Sequence, residues 1–90
     1  MKANFKKLGV EVSFDNFKEW DVAKDLGNFI HANTSDIGLD DVARDIYHSE
    51  GEMDIPEAYA KEIIGIVSSK ECRFFAAIKK AIIKELTTEE

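Results

Sequence analysis

The chain has 90 residues, of which 44% are hydrophobic and 33% charged, and its formal net charge is −6. This length suits one domain, and the composition is that of a globular chain and excludes a disordered one. The negative charge disfavours sequence-independent DNA binding, which depends on neutralising phosphates, and no apolar run approaches the roughly 20 residues that span a bilayer.

The first predicted elements are a loose start and a β-hairpin. Residues 1–7 are mostly polar, and we expect a flexible N-terminus there. Over residues 8–14, apolar side chains alternate strictly with glycine or polar residues, which is typical of a strand with one buried face. Asp15 and Asn16 tolerate turn geometry, so residues 17–20 are predicted to return as a second strand.

Two amphipathic helices follow the hairpin. Apolar residues recur at helical spacing over 22–33, with Asp21 as the N-cap. Gly27 lies inside this helix at a cost of about 1 kcal/mol relative to alanine, which indicates close approach of another backbone. A second helix is predicted over 38–48, where the apolar spacing is the most regular in the chain.

The second half of the chain predicts two more helices. Met53 and Ile55 alternate with acids, either as a short strand on the hairpin edge or as a loop anchor. Pro56 suits the first position of a third helix. The last helix is predicted over 71–86, and its apolar residues cover more than one face, which favours a central position or a partner-binding surface. Residues 87–90 are expected to fray.

These elements predict an α+β, mainly helical fold, with an N-terminal β-hairpin packed against about four amphipathic helices in one globular domain over 8–86. The residues that we expect to be largely buried are Val12, Phe14, Leu26, Ile30, Val42, Ile46, Ile63, Val67, Phe75, Ile78 and Ile82.

Charge is distributed unevenly along the chain. Residues 36–57 contain eight acids against Arg44 alone, whereas residues 70–84 contain five bases against Glu71 alone. A surface polarised in this way favours oriented docking on another macromolecule, or self-association, over small-molecule chemistry. The candidate interaction residues are Asp40, Asp41 and Asp45 in the acidic segment and Lys70, Arg73, Lys79, Lys80 and Lys84 in the basic one.

Metal-binding and catalytic motifs are not found in the sequence. An EF-hand loop fails because Gly51 at loop position six would place Ile46 at the first ligand position. The histidines, His31 and His48, belong to no nucleophile motif, and His31 near a helix end suits a capping role. An enzyme would need a pocket that holds His48 or Cys72 beside a carboxylate. We therefore predict no enzymatic activity, no metal and no cofactor.

The single cysteine indicates the cellular compartment. Cys72 cannot form a disulfide within the chain, so a reducing cytoplasm is the simpler interpretation. Its neighbour Arg73 could make the thiol reactive, but a cysteine followed by two phenylalanines on a helix is more often a small buried hydrophobe. We expect Cys72 to be buried.

Nucleic-acid recognition has weak support in the sequence. Residues 39–46 resemble the first helix of a helix-turn-helix, but Tyr47 stands where that family usually has glycine. The helix that would read bases begins at Pro56 and contains no Arg, Asn or Gln, the residues that read base edges in the major groove. The basic last helix is the better candidate for contact with nucleic acid.

The stretch from Leu26 to Gly51 (LGNFIHANTSDIGLDDVARDIYHSEG) resembles small uncharacterised proteins that phages and integrated elements carry in bacteria. The resemblance covers roughly a third of the chain. It implies a bacterial or phage cytoplasmic setting and a role in assembly or regulation, and it assigns no functional residue.

The sequence thus favours a non-enzymatic protein–protein interaction or assembly module that acts in the cytoplasm on an unidentified protein partner or a second copy of itself. The expected contact surfaces are the 71–86 helix and the exposed edge of the 8–14 strand. The alternative is a regulator that contacts nucleic acid through the basic C-terminal helix.

Overall fold

Four helices and two small antiparallel sheets are present in a computed structural model that describes residues 1–87. The elements in chain order are β1 (Lys2–Ala3), β2 (Leu8–Ser13), β3 (Asn16–Trp20), α1 (Ala23–Asn33), α2 (Ile37–His48), β4 (Met53–Asp54), α3 (Glu57–Ser68) and α4 (Ala76–Thr87). This order confirms the predicted α+β, mainly helical architecture. The tail expected to fray over 87–90 lies outside the described residues, apart from Thr87 at the end of α4.

β2 and β3 form the predicted hairpin. Phe14 and Asp15 connect the two strands, and Asp15 adopts a left-handed backbone conformation with φ 65°, which aspartate tolerates better than most residues. The strand pairing shifts between Glu11 and Ser13, so the alternation of faces ends before the turn. As a result Phe14 lies at the turn and is 92% exposed, and the prediction that it is buried is wrong.

The N-terminal segment is packed into the domain. β1 pairs antiparallel with β4, with Ala3 opposite Met53. Phe5 is 0% exposed, and its carbonyl accepts a hydrogen bond from the backbone N–H of Val22 at 2.8 Å. The expectation of a flexible segment over 1–7, outside the globular domain, is therefore wrong, because the partner strand that orders it is distant in the chain. β4 does not add a strand to the β2–β3 hairpin, because it pairs with β1.

α1 and α2 pack closely against each other after a short connection. The Asp36 side chain caps α2 by accepting a hydrogen bond from the backbone N–H of Gly38 at 2.8 Å. A Cβ atom placed on Gly27 would lie 2.8 Å from the carbonyl oxygen of Ala43 and 2.9 Å from the Cβ of Tyr47. The predicted close approach at Gly27 is confirmed, and it is the backbone of α2 that approaches.

The last helix begins later than predicted, at Ala76 instead of residue 71. Cys72 is buried in the connection before it, as expected of a small hydrophobe but outside any helix. Phe74 turns toward α1, where its ring packs on that of Phe29 with centroids 5.3 Å apart. Cysteine and phenylalanine have modest helix propensity, so the burial of these two side chains determines the path of this segment.

The hydrophobic core receives side chains from all four helices and from the N-terminal strands. The predicted core residues that are buried are Leu26, Ile30, Val42, Ile46, Ile63, Val67 and Ile82. Val12 and Ile78 are half-buried at the edge of the core. Phe75 is 74% exposed because it precedes α4 instead of lying within it, so its predicted burial is wrong.

Candidate functional site

The hairpin exposes three aromatic side chains close together in the chain. Phe14 is 92% exposed, Phe17 59% and Trp20 40%. Apolar area left in water forgoes about 25 cal/mol per Å² of stabilisation, and exposed aromatic residues are typical of binding surfaces. Phe17 and Trp20 are three residues apart on β3, so their rings lie on opposite faces of the hairpin and flank its edge. We call these three residues together with β3 the hairpin surface.

β3 is exposed along its whole length. In the described part of the chain, β3 pairs with β2 alone, so the backbone N–H and C=O groups of its outer edge have no strand beside them. β2 pairs with β3 and also packs against α4. Among residues 1–87, both strands of this two-stranded sheet therefore keep one edge without a neighbouring strand. β2 also contacts α4, whereas β3 is exposed at every position, so the edge of β3 is the more accessible one. The contact edge expected on the 8–14 strand stays a prediction.

A shallow groove separates the hairpin from α4, with a cavity volume of about 170 Å³. Phe17 lies on the hairpin side of this groove, and Lys80 and Lys84 lie on the α4 side. The Lys84 ammonium is 5.9 Å from the centroid of the Phe17 ring, within the range of a cation–π contact. Two of the predicted basic residues thus border the hairpin surface.

The remaining predicted basic residues do not share one helical stripe. Lys70 and Arg73 lie in the connection before α4, where both are exposed. Lys79 donates a hydrogen bond from its Nζ to the carbonyl oxygen of Ser69 at 3.2 Å, so it holds the connection against the start of α4. Because α4 begins at residue 76, the expected continuous basic helix face is reduced to its last two members.

The predicted acidic residues lie on α2. Asp41 and Asp45 are exposed, whereas Asp40 is half-buried and its Oδ1 contacts the Nδ1 of His31. α2 packs mainly on α1, while α4 packs on β2 and α3, so the acidic and basic candidates belong to different layers. In a two-fold dimer, the acidic face of each copy would contact the basic helix of the other.

The His31–Asp40 pair is a feature that the sequence interpretation missed. His31 lies in the last turn of α1 and Asp40 in the first turn of α2, and a three-residue connection brings these two turns together. The sequence signal for this pair is a basic residue in the last turn of α1 followed closely by an acid in the first turn of α2. Each charge is also favoured by the dipole of its own helix. The cavity between α1 and α2 is lined by His48 as well as by His31 and Asp40; within residues 1–87 the Asp40 side chain contacts His31, and no hydrogen bond joins it to His48.

Within residues 1–87, no group of three or more His, Cys, Asp or Glu side chains is arranged to hold a metal ion. The thiol of Cys72 is buried and unpaired. None of the helices over this range is both long enough and apolar enough to cross a membrane.

The chain was compared with known protein families, with curated proteins and with solved structures, and nothing in any of the three matches it. The resemblance to phage and integrated-element proteins therefore stays a prediction.

Proposed function

We propose that this protein is a non-enzymatic interaction module that binds an extended segment of a partner protein along the outer edge of β3. The observation that carries the proposal is the exposure of all of β3, with Phe17 and Trp20 beside an unpaired edge. In strand addition, backbone hydrogen bonds supply affinity and alternate side chains supply specificity. The hairpin offers both kinds of contact.

Charge along β3 favours a different chain over a second copy as the partner. In a symmetric antiparallel pair, opposite residues point to the same face, so only registers that pair residues of equal parity are allowed. One such register places Lys18 opposite its own copy, and the next places Glu19 opposite its own copy. A third places Phe17 opposite its own copy and Asn16 opposite Lys18, with no like charges paired within β3. Like charges directly opposite each other are destabilising, so the first two registers are penalised and the third depends on the Phe17 pair.

The same reasoning predicts the chemistry of the partner strand. An antiparallel partner that matches β3 carries an apolar residue opposite Trp20, a base opposite Glu19, an acid opposite Lys18 and an apolar residue opposite Phe17. Read from its N-terminus, this is an apolar–basic–acidic–apolar segment, for which a peptide with the core Val-Lys-Glu-Val is a suitable probe.

The test is a titration of the ¹⁵N-labelled protein with this peptide, followed through backbone amide shifts. We expect saturable shifts over residues 16–20 and no change in α2. A peptide with Val-Glu-Glu-Val in the core should bind more weakly, because it places an acid opposite Glu19. The variant Glu19→Lys should reverse this preference, which is a result that loss of folding cannot produce.

Four outcomes would overturn the proposal. Amide shifts away from β3, or equal binding of a control peptide with proline at alternate positions, would exclude pairing along the edge, since proline has no backbone donor. A concentration-dependent dimer in sedimentation that Glu19→Lys alters would make a second copy the partner. Binding to mixed duplex DNA at low salt that weakens steeply as salt rises would favour the nucleic-acid alternative through Lys80 and Lys84.

We also propose a cytoplasmic setting. The buried, unpaired thiol of Cys72 supports it, because a reducing compartment keeps such a thiol free. A bacterial or phage origin follows from the resemblance of residues 26–51 and stays part of the proposal.

A further inference from the structure

A second surface feature lies far from the hairpin in the fold, in the groove between α1 and α2. Its cavity volume is about 160 Å³, well above the roughly 10–15 Å³ that one water needs. Gly27 and Ala43 form its floor, and polar side chains form its walls. The absence of a side chain on Gly27 brings the two helices together, so the walls stand close to each other.

The antiparallel arrangement of α1 and α2 determines which residues form the walls of the groove. His31 meets Asp40 at one end of the groove, and Lys24 lies over the ring of Tyr47 at the other, with its Nζ 5.7 Å from the centroid. Arg44 and Asn28 lie between these ends, one on each helix. Asn28, His31, Asp40, Arg44 and Tyr47 line the same cavity, whereas Lys24 lies outside its lining.

The chemistry of these walls selects an anion. Arg44 is the single base among the nine charged Asp, Glu, Lys and Arg side chains of residues 36–57, and it lines this groove. Asn28 and His48 add further groups that can donate hydrogen bonds. The lining also contains one carboxylate, Asp40, whose Oδ1 is engaged by the Nδ1 of His31.

We infer that the α1–α2 groove binds a tetrahedral oxyanion, namely phosphate as the free ion or as a phosphomonoester group. The planar fork of Arg44 matches two oxygens of such a group at once, and charge-assisted bonds of this kind are stronger than neutral ones. Donors on both walls suit a ligand whose oxygens point in several directions, whereas a flat carboxylate would use fewer of them.

The test is an amide-shift titration at constant ionic strength with three probes: inorganic phosphate, phosphoserine and acetate. We expect phosphate and phosphoserine to give saturable shifts around Asn28 and Arg44, and acetate to bind more weakly. If phosphoserine alone saturates, the natural ligand carries the phosphate on a larger molecule; if both saturate, the free ion suffices. Either result supports the site.

Variants separate a built site from a general salt effect. Arg44→Gln should weaken phosphate binding by about ten- to hundred-fold, the loss expected for a charged hydrogen bond. Arg73→Gln removes an equally exposed arginine outside the groove and should leave the affinity unchanged. Asn28→Ala is a second variant of the groove, at an exposed position of α1 where alanine is compatible with the helix. Non-saturating shifts, or equal losses in Arg44→Gln and Arg73→Gln, would overturn the inference.

Discussion

Replacing Gly27 by alanine tests the packing of α1 on α2, because helix propensity and packing predict opposite signs. Alanine in a helix interior is favoured over glycine by about 1 kcal/mol. The added Cβ, however, would lie 2.8 Å from a backbone oxygen of Ala43 and 2.9 Å from Tyr47 Cβ, closer than real Cβ contacts. Neither atom is the end of a flexible side chain, so the helices must separate.

Overpacking of this kind costs about 1–3 kcal/mol, and two contacts this short favour the upper end of that range. After subtraction of the propensity gain, Gly27→Ala should lower the free energy of unfolding by about 2 kcal/mol. For a domain of this size, the corresponding fall in melting temperature is roughly 8–16 °C.

The chain contains a matched control for this substitution. Gly65 lies within α3, is exposed, and a Cβ placed on it would meet nothing within 4 Å. Gly65→Ala should therefore stabilise the protein by about 1 kcal/mol. Urea denaturation followed by circular dichroism measures both variants, with m-values compared to the parent protein. If Gly27→Ala proves as stable as Gly65→Ala, the close packing of α1 on α2 is refuted.

Four further substitutions test the core, the N-terminal segment, the hairpin turn and the Asp21 carboxylate. Ile46→Ala, at a 0% exposed position of α2, should cost about 2–5 kcal/mol in denaturant unfolding. Phe5→Ala should lower the free energy of unfolding by about 3–5 kcal/mol, because Phe5 is buried. Phe14→Ala at the exposed turn should change it by no more than about 0.5 kcal/mol. Equal effects of the two substitutions would contradict the burial of Phe5 and the exposure of Phe14. The pKa of Asp21 is lowered from its ordinary value of 3.8, first by the hydrogen bond from the Ala23 N–H and also by Lys6, whose Nζ is 3.2 Å away. Asp21 therefore stabilises the fold above pH 3.8, and this contribution is lost as the pH falls through the lowered pKa. The difference in unfolding free energy between the parent and Asp21→Asn should therefore shrink in acid.

Local patterns predicted the helices well because the evidence for them is local. The apolar spacing of α1 and α2, the loop between them and the glycine at their contact can all be identified within windows of about a dozen residues. Pro56 likewise marks the start of α3 within a single turn.

The errors arise where distant residues decide the structure. Ala3 and Phe5 are buried although they stand among polar neighbours. Ala3 pairs with Met53, some 50 residues further on, and the carbonyl of Phe5 accepts a hydrogen bond from the backbone N–H of Val22. The shifted pairing near Ser13 moves Phe14 into the turn, and simple alternation does not reveal such a shift.

The candidate sites were predictable as residue types but not as arrangements. The acidic and basic segments are visible as runs of charge, yet which side chains face a common space depends on how the helices pack. Arg44 and His31 illustrate this, since the sequence showed a lone base and a capping histidine but not that both line the α1–α2 groove. The exposure of β3 along its whole length, while β2 contacts α4, likewise became apparent only in the fold.

The bond between the two ends of the chain bears on the order of folding. The backbone N–H of Asn4 donates to Glu85 Oε2 at 2.7 Å across 81 residues, and Ile55 N–H donates to the carbonyl of Met1 at 2.7 Å. Closing such long loops requires a large loss of chain entropy before any contact compensates it. The α1–α2 helical hairpin, in contrast, forms between residues that are close in the sequence. We expect the first strand to dock last and to detach first, with amide hydrogen exchange at Asn4 and Ile55 outpacing that within α2.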